Sequence, residues 1–214
     1  MEPVLDKVVV IGGGGHSKVV IDILQSAGTY EIVGFTDNSD QQRSLCGVPY
    51  LGNDEILPEL LNKGVLRFIV GLGDNKVRKI LFEKIRTVGF MPVNAISPFA
   101  HISPHAKIGQ GVVVMAGAVI NPYAVIKDNV IINTLSGIDH DCIIDSHVHI
   151  APGTSLTGCV RVCEGAFVGT GSKITPNVEI GEWSVIGAGA VVISDILPGS
   201  TVVGVPAKKI IAKG

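Results

Sequence analysis

Three consecutive hexapeptides carry the pattern that decides the fold: Ile132-Asn133-Thr134-Leu135-Ser136-Gly137, Ile138-Asp139-His140-Asp141-Cys142-Ile143 and Ile144-Asp145-Ser146-His147-Val148-His149. Each opens on a large aliphatic residue and holds a second residue, usually small, four places on. Stepping outward by six from Ile132 reaches Ile126, Ile120, Val114, Ile108, Ile102 and Ile96 on one side. On the other it reaches Ile150, Leu156, Val162, Val168, Ile174, Ile180, Ile186 and Val192, with no miss. The second series runs from Ala100 through Ala118, Ser136, Cys142, Thr154 and Ser172 to Ile196. A period of six fits neither a helix nor an array of hairpins; it is the period of a hexapeptide β-helix. Three units make one triangular coil of about eighteen residues. The large residue points into the prism, the small one fits a tight corner, and stacked coils satisfy each other's backbone in parallel ladders. A sandwich of ordinary strands does not hold one register for so long.

The bulk numbers agree. The chain has 214 residues, 46% hydrophobic but only 5% aromatic, with 27 glycines, the composition of an aliphatic repeat protein. A net charge of −2 gives no support for nucleic-acid binding. No apolar run approaches the length of a membrane span. Met1-Glu2-Pro3-Val4-Leu5-Asp6 lacks the basic and then apolar pattern of a signal peptide. Cys46, Cys142, Cys159 and Cys163 show no CxxC spacing. The expectation is a cytoplasmic protein with reduced thiols and Cys142 in the core.

Before the repeat, Lys7–Ile11 is a short β-branched run that leads into Gly12-Gly13-Gly14-Gly15-His16-Ser17. Val19, Val20, Ile23, Leu24 and Ala27 then recur at helical spacing up to Gly28. Glu31–Phe35 reads as a second strand closing on Thr36-Asp37-Asn38, which makes a βαβ unit with a parallel sheet. Residues 39–52 read as a loop, and Asn53 caps a helix through about Lys63. Leu66–Val70 is a third strand, followed by the loop Gly71-Leu72-Gly73-Asp74-Asn75. A third helix runs from Lys76 to Val88 with Val77, Ile80, Leu81, Lys84 and Ile85 on one face, and Phe90–Ala95 is a fourth strand. Residues 1–95 therefore read as a small α/β Rossmann-like domain and residues 96–214 as the all-β helix with its tail.

The glycine loop is a partial dinucleotide fingerprint, with Ser17 where a third Gly is usual, which speaks against an NAD enzyme. Its glycines still let a ligand approach the backbone, and the helix N-terminus favours a phosphate. Asp37 ends the second strand where an acid binds a sugar hydroxyl, and Gly73 opens on the same carboxyl edge. Together these suggest a nucleotide site. A tight turn alone needs no imidazole such as His16. In the repeat, histidines gather around Asp139-His140-Asp141, His147 and His149. His140 should point outward between two carboxylates, which raise its basicity and suit a general base. His149 lies half a coil away, within reach of the same cleft only at a corner or across a subunit interface. A zinc site of His140, His147 and His149 lacks the usual ligand spacing, so no metal is expected. His101 and His105 read as solvated surface. Lys208 and Lys209, after Gly204-Val205-Pro206-Ala207, could hold a polyphosphate.

Hexapeptide repeats ending in Gly-Val-Pro-Ala-Lys-Lys resemble the left-handed β-helix acyltransferases that use acetyl-CoA. The Gly-Gly-Gly-Gly-His-Ser loop, the Gly-Phe-Thr-Asp-Asn strand end and the Ile-Asn-Thr…Asp-His-Asp segment narrow the resemblance to bacterial sugar acetyltransferases of the PglD and NeuD type. The left hand is implied by that resemblance alone. It implies His140 as general base, Asp141 as its acidic partner in place of the usual Glu, and Asn133 as an active-site residue. It implies His149 near the acetyl-CoA thioester, Thr170 and Ala188 lining the cofactor, and Lys208 beside them. Gly14, Gly15, His16, Asp37, Asn38 and Gly73 would hold the nucleotide sugar, and the active sites would lie between subunits of a homotrimer. The reaction implied is N-acetylation of the 4-amine of a UDP-4-amino-4,6-dideoxy sugar, with GDP-perosamine or sialic acid as alternative acceptors. A non-catalytic sugar-nucleotide scaffold is the reading from another class. No acyl-enzyme is expected, since no Cys or Ser is seen paired with His140.

Overall fold

The computed structural model describes residues 5–39 and 44–210. Met1–Val4, read above for a leader, lie outside them. The chain divides into two compact units, residues 1–98 and 99–214.

In the first unit, β1 (Asp6–Ile11), α1 (Gly15–Ala27), β2 (Tyr30–Thr36), β3 (Ser44–Leu45), β4 (Val48–Pro49), α2 (Leu57–Asn62), β5 (Arg67–Val70), α3 (Asn75–Val88) and β6 (Met91–Pro92) follow in order. The main sheet is parallel with strand order β2-β1-β5-β6. β1 is central, so Val8, Val9, Val10 and Ile11 are all buried, which is why its run is apolar without alternation. α1 closes on Gly28, whose φ of 62° places it in the left-handed region that ends many helices. Phe68, Phe82 and Phe90 pack together with ring centroids 5.7 and 6.3 Å apart.

Four details depart from the sequence reading. Residues 39–52 are not a plain loop: β3 and β4 form a hairpin whose turn residues, Cys46 and Gly47, both have positive φ. Asn53 caps a 3₁₀ turn, Asp54–Ile56, before α2 begins. The strand expected over Phe90–Ala95 is split into β6 and a separate pair, Ala95–Ile96. α3 also faces inward differently. Val77 and Ile80 are exposed while Arg78, Phe82 and Ile85 are buried, because Phe82 offers more apolar surface to Phe68 than either aliphatic residue could.

Ser17, the departure from the glycine fingerprint, is completely buried. Its Oγ donates to Gly12 O at 2.6 Å and lies 2.9 Å from Gly71 O, stapling the β1–α1 turn to the end of β5. A Cβ on Gly71 would lie 2.3 Å from that oxygen.

The second unit is a parallel β-helix of about six coils. Two-residue strands stack at intervals of eighteen, as in Val113↔Ile131, Ile131↔His149, His149↔Phe167 and Phe167↔Val185 on the first face. The second face carries His101, Val119, Gly137, Ser155, Lys173 and Val191 in the same way, and the third Lys107, Val125, Ile143, Arg161 and Glu179. From Ile120 to Val192 every expected inward residue is buried. Each contributes about 1.5–3 kcal/mol of apolar burial. The small residues four places on are buried too. Where they are serines they bond the carbonyl three residues back, as Ser172 Oγ does to Gly169 O at 2.6 Å and Ser184 Oγ to Gly181 O at 2.7 Å. At every corner from Gly111 to Gly189 the residue three places after the inward one has positive φ.

Ser17→Ala removes the one buried hydroxyl donor that Gly12 O and Gly71 O both lie within reach of, and leaves Gly12 O without it. It should lower the stability of the first unit by about 1–3 kcal/mol, read as an earlier urea midpoint for residues 5–98 in pulse proteolysis.

Candidate active site

The second-to-third corner of the β-helix carries a column of left-handed residues one coil apart: Tyr123, Asp141, Cys159 and Asn177. His140 stands just before Asp141 and, as expected, is exposed. Its Nδ1 lies 2.8 Å from Asp141 Oδ2. The carboxylate can only accept, so Nδ1 carries the hydrogen and Nε2 keeps its lone pair. Asp139 holds the backbone instead, accepting from the His140 N–H at 2.8 Å and from Asn121 Nδ2 at 2.9 Å. The hydrogen bond to Asp141 raises the His140 pKa above its ordinary 6.5; slight burial works against this, and the charges of Asp139 and Asp141 add to it. The same corner holds Asp139 below the usual carboxylate range, through its bonds from Asn121 and the His140 amide.

The imidazole lies over Gly158, one coil on. A Cβ there would sit 2.5 Å from Cε1 and 2.6 Å from Nε2. Cys159 follows, and its Sγ comes within 4.8 Å of the His140 and Asp141 ligand atoms. The sequence reading placed no cysteine beside His140. The separations of 18 and 19 residues hid both neighbours, although the coil length could have found them. The thiol makes no hydrogen bond to the imidazole among the described residues.

The three histidines that cluster in sequence are spread in space. His147 is buried at the third-to-first corner, its Nδ1 2.8 Å from Asn129 Nδ2. His149 is buried on the first face, edge-on to Phe167 with ring centroids 5.1 Å apart. Its Nε2 lies 3.1 Å from Asn133 Nδ2. Asn133 Oδ1 accepts the Thr134 N–H at 2.8 Å, which orients the amide so that its NH₂ donates and His149 Nε2 accepts. Thr134, Pro152, Thr170 and Ala188 follow one another at the first-to-second corner, where Gly153 N–H donates to Thr134 O, Gly171 N–H to Pro152 O and Gly189 N–H to Thr170 O. The expected active-site residue Asn133 and the expected cofactor residues His149, Thr170 and Ala188 thus share one edge. His140 and Asp141 occupy the next edge, a whole face away. Lys208 is in the last strand, Lys208–Lys209, antiparallel to Thr201–Val203. It lines a groove of about 260 Å³ with Asp195, Leu197, Ser200 and Lys209.

The glycine loop of the first unit separates its glycines by role. Gly12, at φ 104°, needs to be glycine, and a Cβ on Gly13 would press on Phe35 and Asp37. Gly14 and Gly15 have open space around them and lie at the N-terminus of α1, so they are where a ligand phosphate could approach. Asp37 is already engaged: Oδ2 accepts from Gly13 N–H at 2.5 Å and Oδ1 from Ser39 N–H and Oγ at 2.7 and 2.6 Å. Partial burial pushes its pKa up, but these bonds outweigh it and hold the carboxyl below its usual range. Asn38 is exposed beside it. Arg78, missed by the sequence reading, is buried and its Nη1 donates to Gly73 O at 3.2 Å and Asn75 Oδ1 at 2.9 Å, fixing the loop that carries Gly73. Burial pushes the His16 pKa down to about 4, helped by the charge of Arg78, so the ring is neutral at pH 7.

Residues 7–85 match the PglD N-terminal domain family, and residues 159–194 match the bacterial transferase hexapeptide family as six repeats. The fold superposes with a TM-score of 0.93 on a variant of perosamine N-acetyltransferase from Caulobacter crescentus in complex with CoA and GDP-perosamine. The two are 43% identical, over 97% of this chain and 98% of that one. The acetyltransferase domain of PglB from Neisseria gonorrhoeae, in complex with acetyl coenzyme A, gives a TM-score of 0.92 at 40% identity, over 97% and 100% of the chains. GDP-perosamine N-acetyltransferase of Escherichia coli O157:H7 is 29% identical over 168 residues, 76% of this chain and 75% of its own. The helix is left-handed, as the resemblance implied.

Two outcomes test this geometry. Below pH 6.5 the unfolded chain protonates His16 while the folded one does not, so the stability of the first unit should fall as the pH drops from about 6.5 toward 4. In His16→Gln the dependence, followed by pulse proteolysis, should be flatter. Gly158→Ala should leave the melting temperature close to wild type but push the imidazole off Asp141, seen as a His140 NMR titration shifted toward 6.5.

Proposed function

The chain belongs to the hexapeptide-repeat sugar N-acetyltransferases with a PglD N-terminal domain, and from that premise we propose that it transfers the acetyl group of acetyl-CoA to the amine of a GDP-linked 4-amino sugar of the perosamine kind. The observation that carries the reaction is the exposed His140, with its Nδ1 hydrogen bonded to Asp141 and its Nε2 free to take a proton. The GDP-linked acceptor is favoured over the UDP-linked one expected from the sequence because the relatives from C. crescentus and E. coli are both named for perosamine. The relatives from C. crescentus and N. gonorrhoeae hold CoA and acetyl-CoA, which supports acetyl-CoA as the co-substrate.

The amine attacks the thioester carbonyl carbon, and His140 Nε2 takes the proton the amine loses. Asp141 stabilises the imidazolium, the C–S bond breaks, and the imidazolium returns a proton to the departing CoA sulfur. His149 and Asn133 would stand at the thioester, Thr170, Ala188 and Lys208 along the cofactor. Gly14, Gly15, His16, Asp37, Asn38 and Gly73 would hold or frame the nucleotide. His140 and the His149 edge are a whole face apart in one chain, so a complete site needs one edge from each of two subunits, as a homotrimer provides. We place the protein in the cytoplasm, where both substrates are made. No helix among the described residues is long and apolar enough to cross a membrane.

The test is thiol release from acetyl-CoA against GDP-perosamine, UDP-4-amino sugars and sialic acid. GDP-perosamine should turn over fastest; turnover with sialic acid alone would overturn the nucleotide role of the first unit, and no turnover with any would favour a scaffold. His140→Ala should lower kcat by about 10²–10⁴-fold with the fold intact. Because the base works unprotonated, activity should rise with pH through a value above 6.5. Asp141→Asn removes the main cause of that elevation and should move the acid limb of kcat/KM to lower pH.

A further inference from the structure

At the carboxyl edge of the first unit's sheet lies a cavity of about 220 Å³ whose contents the proposed reaction leaves open. Leu72, Val77 and Leu81 form an apolar wall; Thr36, Asp37, Asn38 and Asp54 are the polar residues lining the cavity. A shallower hollow of about 310 Å³ adjoins it and shares Asn38, Asp54 and Leu81. The cavity begins beside Gly12 and Asp37, so a nucleotide with its phosphates at Gly14 and Gly15 would run its base into it. A flat base fits an apolar wall, and the polar side then decides which base.

The two acids differ in what they have left to give. Both Asp37 oxygens already accept bonds, from Gly13 and from Ser39. Asp54 is half-buried in the 3₁₀ turn, and the buried Thr36 donates its hydroxyl to Asp54 Oδ1 at 2.6 Å. That bond fixes the carboxylate, while Oδ2 has no donor among the described residues. We propose that Asp54 reads the base and selects guanine over uracil, an inference that rests on the nucleotide-sugar reading above and sharpens it. Guanine presents N1–H and the 2-amino group side by side, two donors that match one carboxylate. Uracil presents a single N–H between two carbonyl oxygens, whose lone pairs would face the same carboxylate and repel it. An acid beside an apolar wall therefore rewards one base and penalises the other.

The experiment is calorimetric titration of the full chain with GDP, IDP and UDP, for wild type, Asp54→Asn and Thr36→Val. Wild type should bind GDP about 10- to 100-fold more tightly than UDP, the range for paired hydrogen bonds to a charged group. IDP, which lacks the 2-amino group, should fall between. Asp54→Asn keeps an oxygen for Thr36 but loses the charge and one acceptor, so its GDP-to-UDP ratio should collapse toward one. Thr36→Val, which frees the carboxylate to turn, should narrow the ratio less. A ratio measured within one preparation is unaffected by a reduced folded fraction. An unchanged ratio in Asp54→Asn, or equal binding of GDP and IDP, would overturn the assignment of Asp54. Binding of no nucleotide by wild type would overturn the nucleotide role of the first unit, a separate failure.

Discussion

Everything in the β-helix depends on one backbone constraint: at each corner a single residue turns the chain in the left-handed region. Fourteen corners from residue 111 to 189 obey it, six with glycine and eight with other residues, among them Asp141, His147 and Cys159. For a residue with a Cβ that conformation is unfavourable by roughly 1–2 kcal/mol. It persists because the inward residues on either side are buried and the ladders above and below leave the corner no alternative. The turn makes the coil eighteen residues long, and that length decides which side chains become neighbours. Asp141 is left-handed because it is a corner, and the same turn sets its carboxylate against the His140 ring.

A second rule follows from stacking. At three corners a large outward side chain lies against a glycine of the adjacent coil. Leu135 covers Gly117, Trp183 covers Gly165, and His140 covers Gly158. The first two pairs are packing. The third uses the same device to seat the His140 imidazole, so the proposed base stands on the ordinary grammar of the repeat. The first unit divides its glycines in a comparable way: Gly12, Gly13 and Gly71 satisfy the fold's own crowding, with Ser17 as the staple, and Gly14 and Gly15 leave backbone accessible at a helix N-terminus.

Charge is distributed with similar economy. Asp139 and Asp141 flank one imidazole but do different things, one gripping the main chain and the other the ring. His16 and Arg78 are close enough for the cation to help keep the imidazole neutral, while Arg78 spends its donors on the loop that carries Gly73. Two edges of the helix, one with His140 and one with His149 and Asn133, carry the two parts of the proposed acyl-transfer site.

The sequence by itself determined the β-helix, because a period of six is local and every inward position repeats it. It determined the βαβ start of the first unit, and that His140 points outward between two acids, because these depend on residues a few places apart. Tertiary structure decided what depends on distances of a coil or more. Gly158 and Cys159 meet His140 only through the eighteen-residue coil, and His147 parts from His149 because successive strand and corner positions face different sides of the prism. Ser17 reaches Gly71 across 54 residues, and Thr36 reaches Asp54 across 18. α3 turned Phe82 inward rather than Val77, against its partner Phe68 on β5, fourteen residues earlier in the chain. Periodicity shows which face is apolar, and only packing shows which apolar residue finds a partner.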